Sequence, residues 1–145
     1  MTDKKTKLIR AIFFIYIAGV LFFTFVVRES MILRSYNNRG AVLTPLREYF
    51  YFLNGPNRSF WFRQISLNIL MLIPWGILIP AMTKHMRNFL KTVLAGMLFS
   101  CLIEAMQYIT GRGLTEIDDV INNTLGAAAG YGLYSLGAYI YRRKK

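Results

Sequence analysis

Four long apolar runs, each about as long as a bilayer is thick, decide most of what this chain can fold into. Leu8–Val27 holds twenty residues with Arg10 as its one charge, and Ile65–Met82 and Val120–Tyr141 hold no charge at all. Phe89–Ile109 carries charge only at Lys91 and Glu104. A helix crossing the hydrocarbon core needs about 20 mostly apolar residues. Every backbone N–H and C=O in lipid must also be satisfied within the protein, which for continuous runs of this length means helices. The expected fold class is an all-α membrane protein: a bundle of about four transmembrane helices forming a single domain over residues 1–145. Composition agrees, with 54% hydrophobic and 17% charged residues against roughly 25% charged in a soluble domain.

Basic-then-apolar order at Lys4, Lys5, Lys7 and Leu8–Val27 is shared with secretory leaders. The length of the run, and an ending at Phe25-Val26-Val27-Arg28 without small residues for cleavage, mark it instead as an uncleaved first helix. The connection from Arg28 to Gln64 carries six arginines and no lysine. Within it, Leu43-Thr44-Pro45-Leu46 and Tyr49–Leu53 are too apolar for a free loop and too short to span. Their aromatics, with Phe60-Trp61-Phe62, suit the headgroup zone. A partly helical interfacial segment is expected between the first and second spans, with a turn at Gly55-Pro56-Asn57. Pro74, Gly76 and Pro80 lie inside the second span, and a kink is expected near Pro74.

In a soluble protein a net charge of +11 would point to nucleic acid. Here the basic residues flank apolar runs, where they act as topology signals and attract anionic headgroups. Membrane lipids, and no nucleic acid, are the expected partners. Every lysine falls on the side shared by the N-terminus, the Lys84–Lys91 loop and the C-terminal tail. The opposite side holds the six arginines of the long connection and Arg112. That asymmetry predicts a multi-pass protein with both termini cytoplasmic.

Cys101 and His85 are the only residues of their kinds, so neither a disulfide framework within the chain nor a Cys/His metal site is expected. Cys101 reads as a small packing residue and His85, between Lys84 and Arg87, as a solvated one.

Ionisable residues inside membrane helices are costly and usually face the bundle interior. Gly96, Ser100, Glu104 and Gln107 recur on one helical face of the third span. Asp119, Asn123, Gly126, Gly130 and Gly137 form a matching face on the fourth, where Gly126-x-x-x-Gly130 permits close backbone approach. Topology places Asn68, Glu104, Gln107, Arg112, Glu116, Asp118, Asp119 and Asn123 in one outer layer, and these eight are the candidate ligand-binding residues. A plainer account competes with this one. Asp118 or Asp119 would cap the fourth helix, and Arg112 would neutralise Glu116 or Asp119.

Three stretches carry a resemblance: Asn68–Gly76, Ile103–Gln107 and Gly111–Gly126. Together, in this order and spacing, they resemble the VanZ-like family of small bacterial membrane proteins. The likeness covers Asn68–Tyr131 and extends more weakly to Leu43-Thr44-Pro45-Leu46, where Leu46 stands in place of the family's usual Phe. It implies a bacterial cell-membrane location and a link to low-level resistance to teicoplanin-type lipoglycopeptides. It supplies no reaction, no catalytic residue and no cofactor.

Three functions compete. The first is a non-enzymatic envelope protein whose polar layer binds a lipid-linked wall precursor or the lipoglycopeptide, with Arg112 on a phosphate. The second is a membrane enzyme acting on a lipid-linked phosphate or glycan, its carboxylates serving as acid and base or holding Mg²⁺. The third is a proton-coupled exporter using Glu104, disfavoured because such carriers place the carboxylate near the midplane. A homo-oligomer is compatible with all three.

Overall fold

The computed structural model describes residues 3–27 and 40–144. Three of the six arginines of the long connection, Arg28, Arg34 and Arg39, lie outside the described residues. Helix α1, Asp3–Phe22, continues through a π-helical turn to Val27. A two-residue strand β1, Ala41–Val42, leads to the short helix α2, Arg47–Asn54. Then come α3, Arg58–Met82, and α4, Phe89–Thr110, joined by a 3₁₀ turn at Lys84–Met86. Strand β2, Thr115–Glu116, and helix α5, Ile117–Arg143, complete the chain.

Local chemistry explains the boundaries. Asn88 caps α4, its side chain accepting the Lys91 N–H at 3.1 Å. Gly111 ends α4 in the left-handed conformation, φ 66°, which only glycine adopts without steric cost. The expected turn at Gly55–Asn57 separates α2 from α3. Helix α3 begins seven residues before the apolar run at Ile65, so Phe60-Trp61-Phe62 is helical rather than part of the connection. It also runs on through both Pro74 and Pro80. Proline removes one intrahelical bond, at Pro74 the one to the Leu70 carbonyl; at the next carbonyl, Met71, the Tyr16 hydroxyl of α1 donates at 2.7 Å.

Three helical segments are long and apolar enough to cross a membrane: Lys4–Val27, Arg58–Met82 and Phe89–Thr110. The fourth expected span, Val120–Tyr141, lies within α5. That helix has 27 residues, yet by length and composition it is not among the three. Its buried positions are held by Asp118, Asp119, Asn122, Asn123 and small residues.

Those small residues make α5 the centre of the bundle. A Cβ built at Gly126 would fall on the Ile69 carbonyl oxygen, one at Gly130 on that of Ile73, and one at Gly76 on that of Ala127. Helices α3 and α5 therefore touch backbone to backbone. Leu72, Trp75 and Ala127 form the apolar core beside this seam, with Trp75 stacked on Phe99 at 4.8 Å and its indole N–H donating to the Thr92 carbonyl. Among the described residues, thirteen buried side chains are polar or charged and six are hydrophobic. Leucine, isoleucine and phenylalanine fill the outer faces instead. Such an inside-out distribution suits lipid as the surrounding solvent.

Direction follows from the pairings. Asn68 meets Asp119 and Ile73 meets Gly130, so α3 and α5 run parallel. Ser100 meets Asn123 and Gly96 meets Ala127, so α4 runs opposite to α5. Phe13 meets Trp75 and Tyr16 meets Met71, so α1 runs opposite to α3. Asp3 and Arg143 thus lie at one end of the bundle, and the polar layer lies at the other.

Candidate functional site

A parallel pairing of β1 with β2, Ala41 to Thr115 and Val42 to Glu116, ties the connection after α1 to the loop between α4 and α5. It sets α2 against the first turns of α5. There Asp118 accepts two backbone donors from the start of α2: Leu46 N–H at 2.6 Å on Oδ1 and Glu48 N–H at 2.7 Å on Oδ2. Asp118 is therefore a cap, as the plainer account expected, but of α2 and not of its own helix. The residue at the N-cap position of α5 is Glu116, whose side chain makes no capping bond.

One turn along α5, Asn122 joins two α2 side chains. Its amide nitrogen donates to Glu48 Oε2 at 2.9 Å, and its amide oxygen accepts the Tyr49 hydroxyl at 2.6 Å. Burial, then the negative charges of Glu48 and Asp118, raise the Tyr49 phenol above its ordinary pKa of 10.0. Tyr49 therefore remains a hydroxyl donor throughout the physiological range.

The rest of the layer comes from α3 and α4. Asn68 donates to Asp119 Oδ1 at 2.5 Å. Glu104 Oε2 accepts the Glu116 backbone N–H at 2.9 Å, and the Glu104 carbonyl accepts the Thr115 hydroxyl at 3.0 Å. With its amide nitrogen turned toward Glu104, Gln107 donates to both carboxylate oxygens, at 3.1 and 3.3 Å. Below this, Asn123 donates to Ser100 Oγ at 2.7 Å. The Asn123 amide oxygen is buried and has no hydrogen-bond partner among the described residues.

Seven of the eight candidates are thus buried at this end of the bundle: Asn68, Glu104, Gln107, Glu116, Asp118, Asp119 and Asn123. The eighth, Arg112, is exposed in the α4–β2 loop and forms no ion pair among the described residues. Among the described residues the cation beside the acids is Arg47, whose guanidinium lies 3.7 Å from Glu116 Oε1 and over the Tyr51 ring. Sequence reasoning missed Arg47, Glu48 and Tyr49, and it left Asn122 outside the candidate set. One signal pointed to Glu48: it is the only acid between Glu29 and Glu104, set in a stretch read as lying in the membrane interface. Glu48, Glu116 and Asp119 each present a carboxylate oxygen within 4.8 Å of the others, and all three are buried. Oxygen donors of this kind are those a hard divalent cation takes.

The bundle and its layer define an all-α membrane protein with a polar interior at one end. The VanZ/LLP1 family profile matches residues 12–138, and the chain belongs to that family. It is similar to Protein VanZ of Enterococcus faecium, with 34% identity over 84 residues, 58% of this chain and 52% of that protein. The chain spans about half the length of this curated relative. No solved structure gives a significant match.

Proposed function

We propose that this is a four-pass protein of the bacterial cell membrane, both termini cytoplasmic, whose polar layer faces the outer leaflet and receives a polar headgroup without transforming it. Its ligand is a lipid-linked cell-wall precursor or the lipoglycopeptide that targets such precursors. The likeness to VanZ links this role to low-level teicoplanin resistance. In this reading α5 is the fourth crossing, and its buried polar residues lie in the half up to Gly130 that packs against α3 and α4, which is why they are tolerated.

One observation carries the reading: carboxylates and amides from α2, α3, α4 and α5 converge in a single buried layer. Helix packing in lipid needs small residues and an occasional polar pair. It gives no reason for five carboxylates, Glu48, Glu104, Glu116, Asp118 and Asp119, at one end of the bundle. Arg47 supplies a cation at the rim for a phosphate, the role first expected of Arg112.

Native mass spectrometry of the protein in nanodiscs made with bacterial envelope lipids tests this. Wild type is expected to retain a specific lipid that Glu104→Gln and Arg47→Ala lose. Equal retention by all three proteins would refute a headgroup site. The convergence of Glu48, Glu116 and Asp119 also favours a second reading, an enzyme acting on a lipid-linked phosphate or glycan. A lipid consumed and a new mass formed only with wild type would decide for it.

A further inference from the structure

The layer that would receive a headgroup is shut. Glu116 is 5% exposed, Glu48 and Asp118 are 2%, and Asp119 and Asn122 are 0%. No ligand atom reaches these groups unless an element moves. Helices α3, α4 and α5 are 22 to 27 residues long and pack along one another. Helix α2 differs from them in its length and in how its N-terminus is held.

It has eight residues, too few to remain helical in isolation. Phe50 and Leu53 on its outer face are exposed. Its N-cap residue, Leu46, sits at φ 61°, ψ 17°, a left-handed conformation that a leucine adopts only under constraint, and offers no side-chain cap. The constraint comes from 72 residues away, through the Asp118 carboxylate on the Leu46 and Glu48 N–H groups. At its other end α2 is fastened to α3 by stacking of Tyr51 on Trp61 at 5.2 Å and by Phe52 against Phe62. Gly55 and Pro56 lie between the two helices.

We propose that α2 is a latch over the polar layer: Asp118 holds it shut, and its release, swinging on the Gly55–Pro56 turn, opens Glu116, Asp119 and Asn122 to a headgroup. Strain at Leu46 favours release, and the paired N–H bonds to Asp118 oppose it. Asn122, bridging Glu48 and Tyr49, restores register on closing. What enters rests on the headgroup reading; the movement does not.

Hydrogen–deuterium exchange on the full chain in nanodiscs, with no ligand added, tests the latch. Asp118→Asn preserves shape but leaves one acceptor in place of two, and Asp118→Ala removes both. Loss of charged hydrogen bonds predicts exchange at the Leu46 and Glu48 amides about tenfold faster or more. Amides in the middle of α4 and α5 should keep wild-type rates. Release also predicts faster exchange at the Phe50 and Gly55 amides, which bond within α2 and not to Asp118. Unchanged exchange there in both variants overturns the latch, and so does an equal increase across α4 and α5. Native mass spectra of the same samples separate the two readings. Faster exchange with no lipid retained by any protein sustains the latch and removes the headgroup. Lipid retained by wild type with unchanged α2 exchange in the variants does the reverse.

Discussion

Gly126→Ala adds a single methyl group to the seam between α3 and α5, and the structure fixes what that methyl meets. It falls on the Ile69 carbonyl oxygen, with the Ile69 carbonyl carbon at 2.9 Å and Cα at 3.2 Å. Comfortable carbon contacts begin at about 3.5 Å, so the helices must separate by roughly 1 Å. All three colliding atoms are backbone, and no rotamer change relieves them. A gap of that size forfeits a quarter to a half of each dispersion contact it opens. Overpacking costs about 1–3 kcal/mol, and with nothing flexible to yield, about 3 kcal/mol is expected here. Alanine's helix propensity returns about 1 kcal/mol, leaving a net loss of about 2 kcal/mol. Gly137→Ala is the control, because nothing lies within 4 Å of its added Cβ. It keeps only the propensity gain, up to about 1 kcal/mol. The two alanines should therefore differ by about 3 kcal/mol in SDS-titration unfolding followed by tryptophan fluorescence. Trp75 beside the seam reports the separation. If both variants lie within about 1 kcal/mol of each other, close backbone contact is not what holds α3 to α5.

Other expectations follow from single residues. Asn68→Ala takes a donor from the fully buried Asp119 and should cost about 2–3 kcal/mol in the same titration. Tyr49→Phe should remove a phenol that ionises above pH 10 from the ultraviolet absorbance titration of the folded protein. The sign of the linkage is fixed: the folded pKa lies above the unfolded one, so the contribution of Tyr49 to docking of α2 is constant below pH 10 and is lost as pH rises from there toward the folded pKa. Arg112→Ala should leave unfolding within about 0.5 kcal/mol of wild type, and Arg47→Ala should cost less than about 1 kcal/mol because its pair with Glu116 is partly exposed. Lipid retention should nevertheless fall with Arg47→Ala and hold with Arg112→Ala.

Hydropathy and helical period are local properties, and whatever depends on them was legible in the sequence. The apolar runs became α1, α3 and α4 because their backbones must bond internally in lipid. Ser100, Glu104 and Gln107 lie buried on α4 as their spacing required, and Asp119 and Asn123 do so on α5. The short loop between α4 and α5 brought those two faces together. Long-range pairing was not legible. The bonds from Leu46, Glu48, Tyr49 and Asn122 that build the other half of the layer join residues 70 to 74 positions apart. Nothing in an eight-residue amphipathic stretch states which helix will cap it. Arg112 and Arg47 show the same limit: Arg112 is near Glu116 in the chain, yet among the described residues Arg47 of α2 is the cation that meets it. A carboxylate's partner is decided by which backbones approach, and for α3 and α5 that approach is set by three glycines packed against carbonyl oxygens. The sequence by itself determined the solvent, the helices and their polar faces. The tertiary structure alone decided which polar groups share a site, because a hydrogen bond requires atoms within about 3 Å of each other and chain order says nothing about such distances across seventy residues.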